Sequence, residues 1–97
     1  MELKSYQRAF LRSQAQLLDP VVYVGKEGLT EGVVNALDEA LFHHELVKVR
    51  FHSHKDDTSA LSRELEKKTA STLVTTVGFT AVFFRQDPKD PERIYKI

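Results

Sequence analysis

The chain has 97 residues with no cysteine, 41% apolar and 29% charged residues, and a formal net charge of zero. This length fits one domain, and the lack of cysteine excludes a disulfide framework, thiol catalysis and a cysteine metal site. No apolar run approaches the ~20 residues of a membrane span, and the first ten residues lack a signal-peptide centre, so we expect a cytoplasmic protein.

The first segment is predicted to be a helix that ends at Asp19-Pro20, because proline disfavours the helical conformation in the residue before it. Lys4, Arg8 and Arg12 recur every four residues and therefore form one basic stripe along it. A solvated helix face and a phosphate-contacting surface are equally consistent with this stripe. The apolar face is predicted to contain Leu3, Tyr6, Phe10 and Leu17, with Ala9 and Leu11 beside it.

The next segment, VVYV at residues 21–24, is predicted to be a strand buried on both faces, because it is short, β-branched and aromatic. A glycine loop follows it. Thr30 is the predicted N-cap of a second helix. The apolar face of that helix is predicted to contain Val33, Leu37, Ala40, Leu41 and His44.

Residues 46–52, LVKVRFH, alternate between apolar and polar side chains and predict a strand. Lys48 and Arg50 lie on its polar side, with His52. Residues 55–69 predict a third helix capped by Asp56 or Asp57, with leucines facing inward.

Residues 71–85 predict two strands joined at Gly78-Phe79, since glycine at the first position of a two-residue loop favours a tight hairpin. Residues 86–97 contain two prolines and dense charge. We expect this tail to be extended or mobile. The whole chain, residues 1–97, is then a single α/β domain with the element order α-β-α-β-α-β-β and a mixed four-stranded sheet.

Charge is segregated along the chain despite the net charge of zero. Residues 1–26 carry four cations against two acids, residues 27–45 carry five acids and neither lysine nor arginine, and residues 46–55 carry three cations. A neutral molecule can therefore present a basic face to a polyanionic partner.

The glycine loop, Gly25-Lys26-Glu27-Gly28, lies between the first predicted strand and the second predicted helix. The first N–H groups of a helix lack internal partners and attract an anion. Glycine lets a phosphate approach the backbone, and Lys26 adds a full charge, whereas Glu27 has to point away from such a ligand. The alternative is that both glycines only supply positive φ angles at a turn.

Two stretches together, PVVYVGKEGLTEGVVNALDEAL and HHELVKVRF, resemble the CRM domain of the YhbY-like family of small bacterial RNA-binding proteins. The opening QRAFLRSQAQLLDPVVYVG and the later VTTVGFTAVFFR extend the resemblance over about the first 85 residues. Two features depart from the family pattern. Phe79 occupies the hairpin tip, where a polar or basic residue is more usual, and the tail after Arg85 is unlike the common form.

The resemblance implies a fold similar to the C-terminal domain of bacterial initiation factor three. It implies that residues 25–28 are similar to the family's RNA-contacting G-x-x-G loop, as in KH domains. It also implies association with precursors of the large ribosomal subunit. We therefore expect a monomeric protein that binds RNA, with no DNA or membrane partner. The candidate RNA contacts are Gly25, Lys26, Glu27, Gly28, Lys4, Arg8, Arg12, Lys48 and Arg50.

Other function classes have less support in the sequence. His43-His44 and the pair His52 and His54 suggest a metal site, but no cysteine accompanies them, so we expect no metal and no cofactor. The adjacent acidic pairs diverge on a helix and join no catalytic constellation, so we expect no enzymatic activity. One alternative function stays open, a protein-interaction module whose acidic second helix binds a basic ribosomal protein.

Overall fold

The computed structural model describes residues 2–53 and 55–97, and within them the helices and strands follow the predicted order. A short 3₁₀-helix, Lys55–Asp57, leads directly into the third α-helix. The helices are α1 (Ser5–Ala15), α2 (Glu31–His44) and α3 (Thr58–Thr69), and the strands are β1 (Val22–Val24), β2 (Leu46–Phe51), β3 (Thr72–Val77) and β4 (Thr80–Phe84).

The four strands form one mixed sheet in the order β1-β2-β4-β3, which confirms the predicted fold class. β1 pairs parallel with β2, and β4 pairs antiparallel with both β2 and β3. The hairpin therefore carries β3 to the sheet edge and returns β4 to the centre. Leu3, near the start of the described residues, and Tyr95 and Ile97, at their end, pack against the same side of this sheet.

The sheet separates two cores. The larger core lies under α2 and α3 and includes Leu37, Leu41, Val49, Phe51 and Phe83. The smaller core lies under α1 and consists of Leu3, Leu11, Ala15, Leu46, Val74, Val82 and Phe84. Because successive strand residues point to opposite faces, the neighbours Phe83 and Phe84 enter different cores. Removing either ring should destabilise the domain by roughly 3–5 kcal/mol.

Local chemistry explains where several elements begin and end. The Thr30 hydroxyl accepts the Val33 N–H at 3.2 Å, so the predicted N-cap of α2 is confirmed. Gly78 has φ +57° in the hairpin turn, also as predicted. α3 ends at Ala70, which takes a left-handed conformation at φ 51° although glycine is the usual residue there. Phe79 packs against the larger core instead of extending from the hairpin.

The predicted apolar face near α1 is confirmed at Leu3, which is buried, but is wrong at its other three residues. Leu11 and Ala15 are buried, whereas Tyr6 and Phe10 are exposed. Leu17 lies beyond the last helical residue and is 80% exposed. The register of α1 is set by the sheet residues that it covers, which a helical period cannot reveal by itself.

The prediction that residues 21–24 are buried on both faces is also wrong. Val22 and Val24 are buried, but Tyr23 is 51% exposed and Val21 is 55% exposed. β1 is an edge strand, and α1 leaves this part of the sheet uncovered. His44, predicted to be on the apolar face of α2, is exposed at the end of that helix.

The tail contains neither helix nor strand, yet its end returns to the domain. Tyr95 packs edge-on against Phe84, with 6.3 Å between ring centroids and 79° between planes. Ile97 also packs against the smaller core. The last residues are therefore placed on the core, while mobility of the tail stays a prediction.

Candidate nucleic-acid interface

The glycine loop is closed by its own backbone. The Gly28 N–H donates to the Gly25 carbonyl at 3.0 Å, and the Thr30 N–H donates to the Gly28 carbonyl at 3.0 Å. Lys26 and Glu27 lie at the exposed tip of this turn. The loop thus keeps a defined shape while its backbone faces solvent directly before the first turn of α2.

Gly25 and Gly28 differ in backbone conformation, and therefore in the reason for a glycine at each position. Gly28 has φ +72°, a conformation that other residues adopt only with strain, whereas Gly25 is not in this region. A Cβ atom built on either glycine would have no neighbour within 4 Å. The backbone conformation therefore explains Gly28, but neither conformation nor internal packing explains Gly25.

A basic area lies on the sheet face that α1 only partly covers. Val47, Val49 and Phe51 are buried in the larger core, so the alternation of β2 directs Lys48 and Arg50 to the opposite face, as predicted. Lys48 is half-buried and Arg50 is exposed. None of the four strands contains an acidic residue.

Arg12 joins this basic area from another element. It lines, together with Lys48, a groove of about 570 Å³ between α1 and the sheet. The remaining lining residues include Gln16, Thr75 and Thr80, and none of the lining residues is acidic. The fold therefore brings together two predicted contacts that lie 36 positions apart in the chain.

Of the other members of the predicted stripe, Arg8 has a structural role through its side chain and Lys4 through its backbone. The Arg8 Nη1 donates to the carbonyls of Leu73 and Val74 at 2.9 and 2.6 Å. These carbonyls lie where a bulge interrupts the pairing of β3 with β4. Lys4 is the N-cap of α1, and its N–H donates to the Gln7 side chain at 2.9 Å. Contact of either cation with RNA stays a prediction.

Two aromatic side chains beside this basic area had no predicted binding role. The rings of Tyr23 and His52 stack, with 5.3 Å between centroids and 17° between planes. The sequence contained a signal for Tyr23, because it alternates with Val22 and Val24. The β-branched run as a whole predicts burial on both faces, and His52, although on the predicted polar side of its strand, has metal binding as its only predicted role.

Within residues 2–53 and 55–97, no three side chains of His, Asp or Glu converge in a way that could hold a metal ion. His43 and His44 are neighbours at the end of α2, and their ring centroids are 6.3 Å apart. His54, the fourth histidine considered, lies outside the described residues. No described helix is long and apolar enough to cross a lipid bilayer.

Comparison with known proteins places these features in a family context. The family model described as the CRS1/YhbY (CRM) domain matches residues 3–85. A probable RNA-binding protein of Pseudomonas aeruginosa is 38% identical over 98 aligned residues, which cover 100% of this chain and 94% of the relative. An RNA-binding protein of Haemophilus influenzae is 38% identical over 84 residues, 86% of this chain and 85% of the relative.

The fold also resembles a solved structure. The solution structure of a hypothetical protein from Staphylococcus aureus superposes with a TM-score of 0.80 and 33% sequence identity. The match covers 94% of this chain and 95% of the solved one. The family match ends at residue 85, whereas the alignment with the Pseudomonas relative covers the whole chain, so departure of the tail from the common form stays a prediction.

Proposed function

The chain belongs to the CRS1/YhbY (CRM) domain family, and on this premise we propose that it is a cytoplasmic RNA-binding protein without catalytic activity. We further propose that its RNA is ribosomal RNA in a precursor of the large subunit, and that it acts in ribosome assembly. The names of the Pseudomonas and Haemophilus relatives support the RNA partner. The ribosomal assignment rests on the sequence resemblance.

The observation that carries the proposal is the unexplained glycine at position 25. Its φ angle does not require glycine, and a Cβ atom there would contact nothing inside the domain. A side chain at this position would instead extend into the open space beside an exposed loop. Clearance for an external phosphate explains a glycine in this exposed loop, which connects β1 to the N-terminus of α2.

The basic area supplies the several cations that the glycine loop by itself lacks. Affinity for the nucleic-acid backbone is the sum of several phosphate contacts, so a protein that binds it needs several cations on one side. Arg12, Lys48 and Arg50 lie on the sheet face beside α1. The edge strand β1 connects this face to the loop, because Tyr23 is the register partner of Arg50 and Gly25 follows two residues later.

The alternative, a protein-interaction module, has less support. Of the five acids between residues 27 and 45, two are engaged inside the domain. Asp38 accepts the Arg85 guanidinium at 2.6 Å, and Glu45 is buried, where it accepts backbone N–H groups of the tail. The exposed acids of α2 are Glu31, Asp38 and Glu39, and Asp38 is already paired with Arg85, which leaves a small acidic surface for a basic partner.

Titration of the purified protein with a fragment of large-subunit ribosomal RNA at several salt concentrations tests the proposal. We expect affinity to fall steeply with salt, with a slope of about −0.7 to −0.9 per neutralised phosphate. Replacing both Lys48 and Arg50 with glutamine should weaken binding and flatten the slope. The matched control replaces Glu31 and Glu39 with glutamine, which should leave RNA binding intact or strengthen it.

Opposite results would support the alternative. Binding that appears only when a basic ribosomal protein is added, and that depends on Glu31 and Glu39, would contradict direct RNA recognition. Crosslinking in cells with mapped RNA sites then tests the ribosomal assignment separately. Crosslinks spread over unrelated RNAs would leave RNA binding in place and remove the role in subunit assembly.

A further inference from the structure

Tyr23 of β1 and His52, which directly follows β2, form an exposed stack of two rings. Tyr23 is 51% exposed at the centre of β1, and His52 is exposed immediately after β2. Their ring centroids are 5.3 Å apart, and their planes are inclined by 17°. Large aromatic surfaces are usually buried in a domain of this size, so an ordered pair facing solvent is available to a ligand with its own flat ring.

The stack is held in place before any ligand arrives. The Tyr23 phenol donates to the Pro20 carbonyl at 3.1 Å, which fixes the far end of its ring. The His52 N–H donates to the Val24 carbonyl at 2.9 Å, which fixes the backbone that carries the imidazole. Side chains that are already ordered lose little conformational entropy on binding, so the contact area contributes more fully to affinity.

Two cations of β2 lie on the same sheet face as the stack. Arg50 is the register partner of Tyr23 in the parallel pair, and Lys48 lies on the same face of β2. No residue of the four strands is acidic. An acidic peptide would match the cations but would leave the rings without a planar partner. Single-stranded nucleic acid supplies both phosphates for the cations and bases for the rings.

The stack also adjoins the glycine loop. The carbonyl that holds the His52 backbone belongs to Val24, the residue directly before Gly25. A phosphate at the loop and a base at the rings would therefore belong to neighbouring parts of one strand. We propose that Tyr23 and His52 form a stacking site for an unpaired base of single-stranded RNA, with Arg50 binding the adjoining phosphate. This inference rests on the proposed RNA-binding function and extends it to a site for bases.

Two probes separate stacking from charge attraction. One is an oligouridylate of about ten nucleotides, within the usual site size for single strands, and the other is an abasic ribose-phosphate chain of the same length. We expect the parent protein to bind the oligouridylate more tightly. Tyr23→Thr, which keeps a β-branched residue in the strand, should lower affinity for oligouridylate about 5- to 150-fold. Its affinity for the abasic chain should stay at the parent value.

Controls address folding and position. Tyr23→Phe keeps the ring and should restore the preference for bases, while His52→Ala, outside the strands, should reduce it. Phe42→Ala removes another exposed aromatic, 78% exposed on α2, and should have no effect. Thermal melts of all variants identify any that are unfolded, and His52→Ala then provides the test if Tyr23→Thr does not fold.

The possible failures are distinguishable. A parent protein that binds the ribosomal RNA fragment but neither probe would overturn this inference alone, whereas one that binds none of the three would overturn the proposed function as well. Equal binding of both probes by the parent would leave RNA binding in place and overturn the stacking site. The same conclusion follows if folded Tyr23→Thr and His52→Ala both bind like the parent, or if they lose affinity for both probes equally.

Discussion

The carboxylate of Glu45 accepts the backbone N–H of Tyr95 at 3.0 Å, across 50 residues of sequence. The same oxygen accepts the Ile94 N–H at 3.1 Å and a Gln86 side-chain N–H at 3.1 Å. Glu45 is only 6% exposed and has φ 65°, where glycine is the favoured residue. The residue at this strained backbone position between α2 and β2 is thus the one whose carboxylate binds the tail.

Replacing Glu45 with alanine should release the tail. The three N–H groups would lose their acceptor, and we expect a loss of roughly 1–3 kcal/mol in unfolding free energy. Limited proteolysis should then cleave within residues 86–97 much faster than in the parent. Glu45→Gly removes the same carboxylate but fits the backbone, so it should free the tail with a smaller loss of stability. Unchanged cleavage in both variants would show that the carboxylate does not hold the tail.

Alkaline pH should weaken the domain through Tyr95. Burial raises the pKa of its phenol above 10.0, and the negative charge of Glu45 raises it further. Below pH 10 the phenol is neutral in both states, and its contribution to stability is fully present. As pH rises through the raised pKa, the unfolded chain releases the proton more readily, and stability falls. Chemical denaturation between about pH 9 and 11 should show a smaller decline in Tyr95→Phe than in the parent.

The two glycines of the loop should respond differently to alanine. Gly28→Ala should lower the unfolding free energy by about 1 kcal/mol or more, because alanine is strained at φ +72°. Gly25→Ala should change stability by less than about 0.5 kcal/mol, as for an ordinary surface substitution, yet weaken RNA binding. Thermal melts and RNA titrations on the same samples measure both effects. If Gly25→Ala and Gly25→Thr both bind RNA like the parent, the loop is only a structural turn and does not contact RNA.

The basic stripe of α1 should divide into structural and binding residues. Arg8→Ala leaves two carbonyls at the β3 bulge without their donor, so we expect a loss of roughly 1–3 kcal/mol in stability. Arg12→Ala should leave stability near the parent value. It should flatten the slope of log affinity against log salt by about 0.7 on single-stranded RNA. If the salt slope of Arg12→Ala equals that of the parent, Arg12 does not contact phosphate and belongs to an ordinary solvated helix face.

Metal should have no effect on the protein. His52 stacks with Tyr23, and the adjacent His43 and His44 are not joined by a third ligand among the described residues. We therefore expect the melting temperature to be the same with added zinc and with a chelator. Stoichiometric metal in protein purified without added metal would contradict this expectation and would direct attention to His54.

The sequence by itself determined the order of the elements, because each depends on chemistry within a few residues. The Thr30 hydroxyl starts α2, the alternation of Lys48 and Arg50 defines the polar face of β2, and Gly78 permits the hairpin turn. Dihedral preferences, caps and periodicity act locally, so a pattern reveals them without knowledge of the rest of the chain. The family resemblance added the glycine loop as a candidate site.

The tertiary structure alone decided which surfaces are covered. The edge position of β1 and the packing of α1 against β2 and β3 left Tyr23 exposed, although its run suggested a buried strand. The same packing brought Arg12 to Lys48 and turned Arg8 toward backbone carbonyls. Burial depends on which distant segments compete for one sheet face, and a local period carries no information about that competition. The stack of Tyr23 on His52 also depends on tertiary structure, because it forms only when β1 pairs with β2.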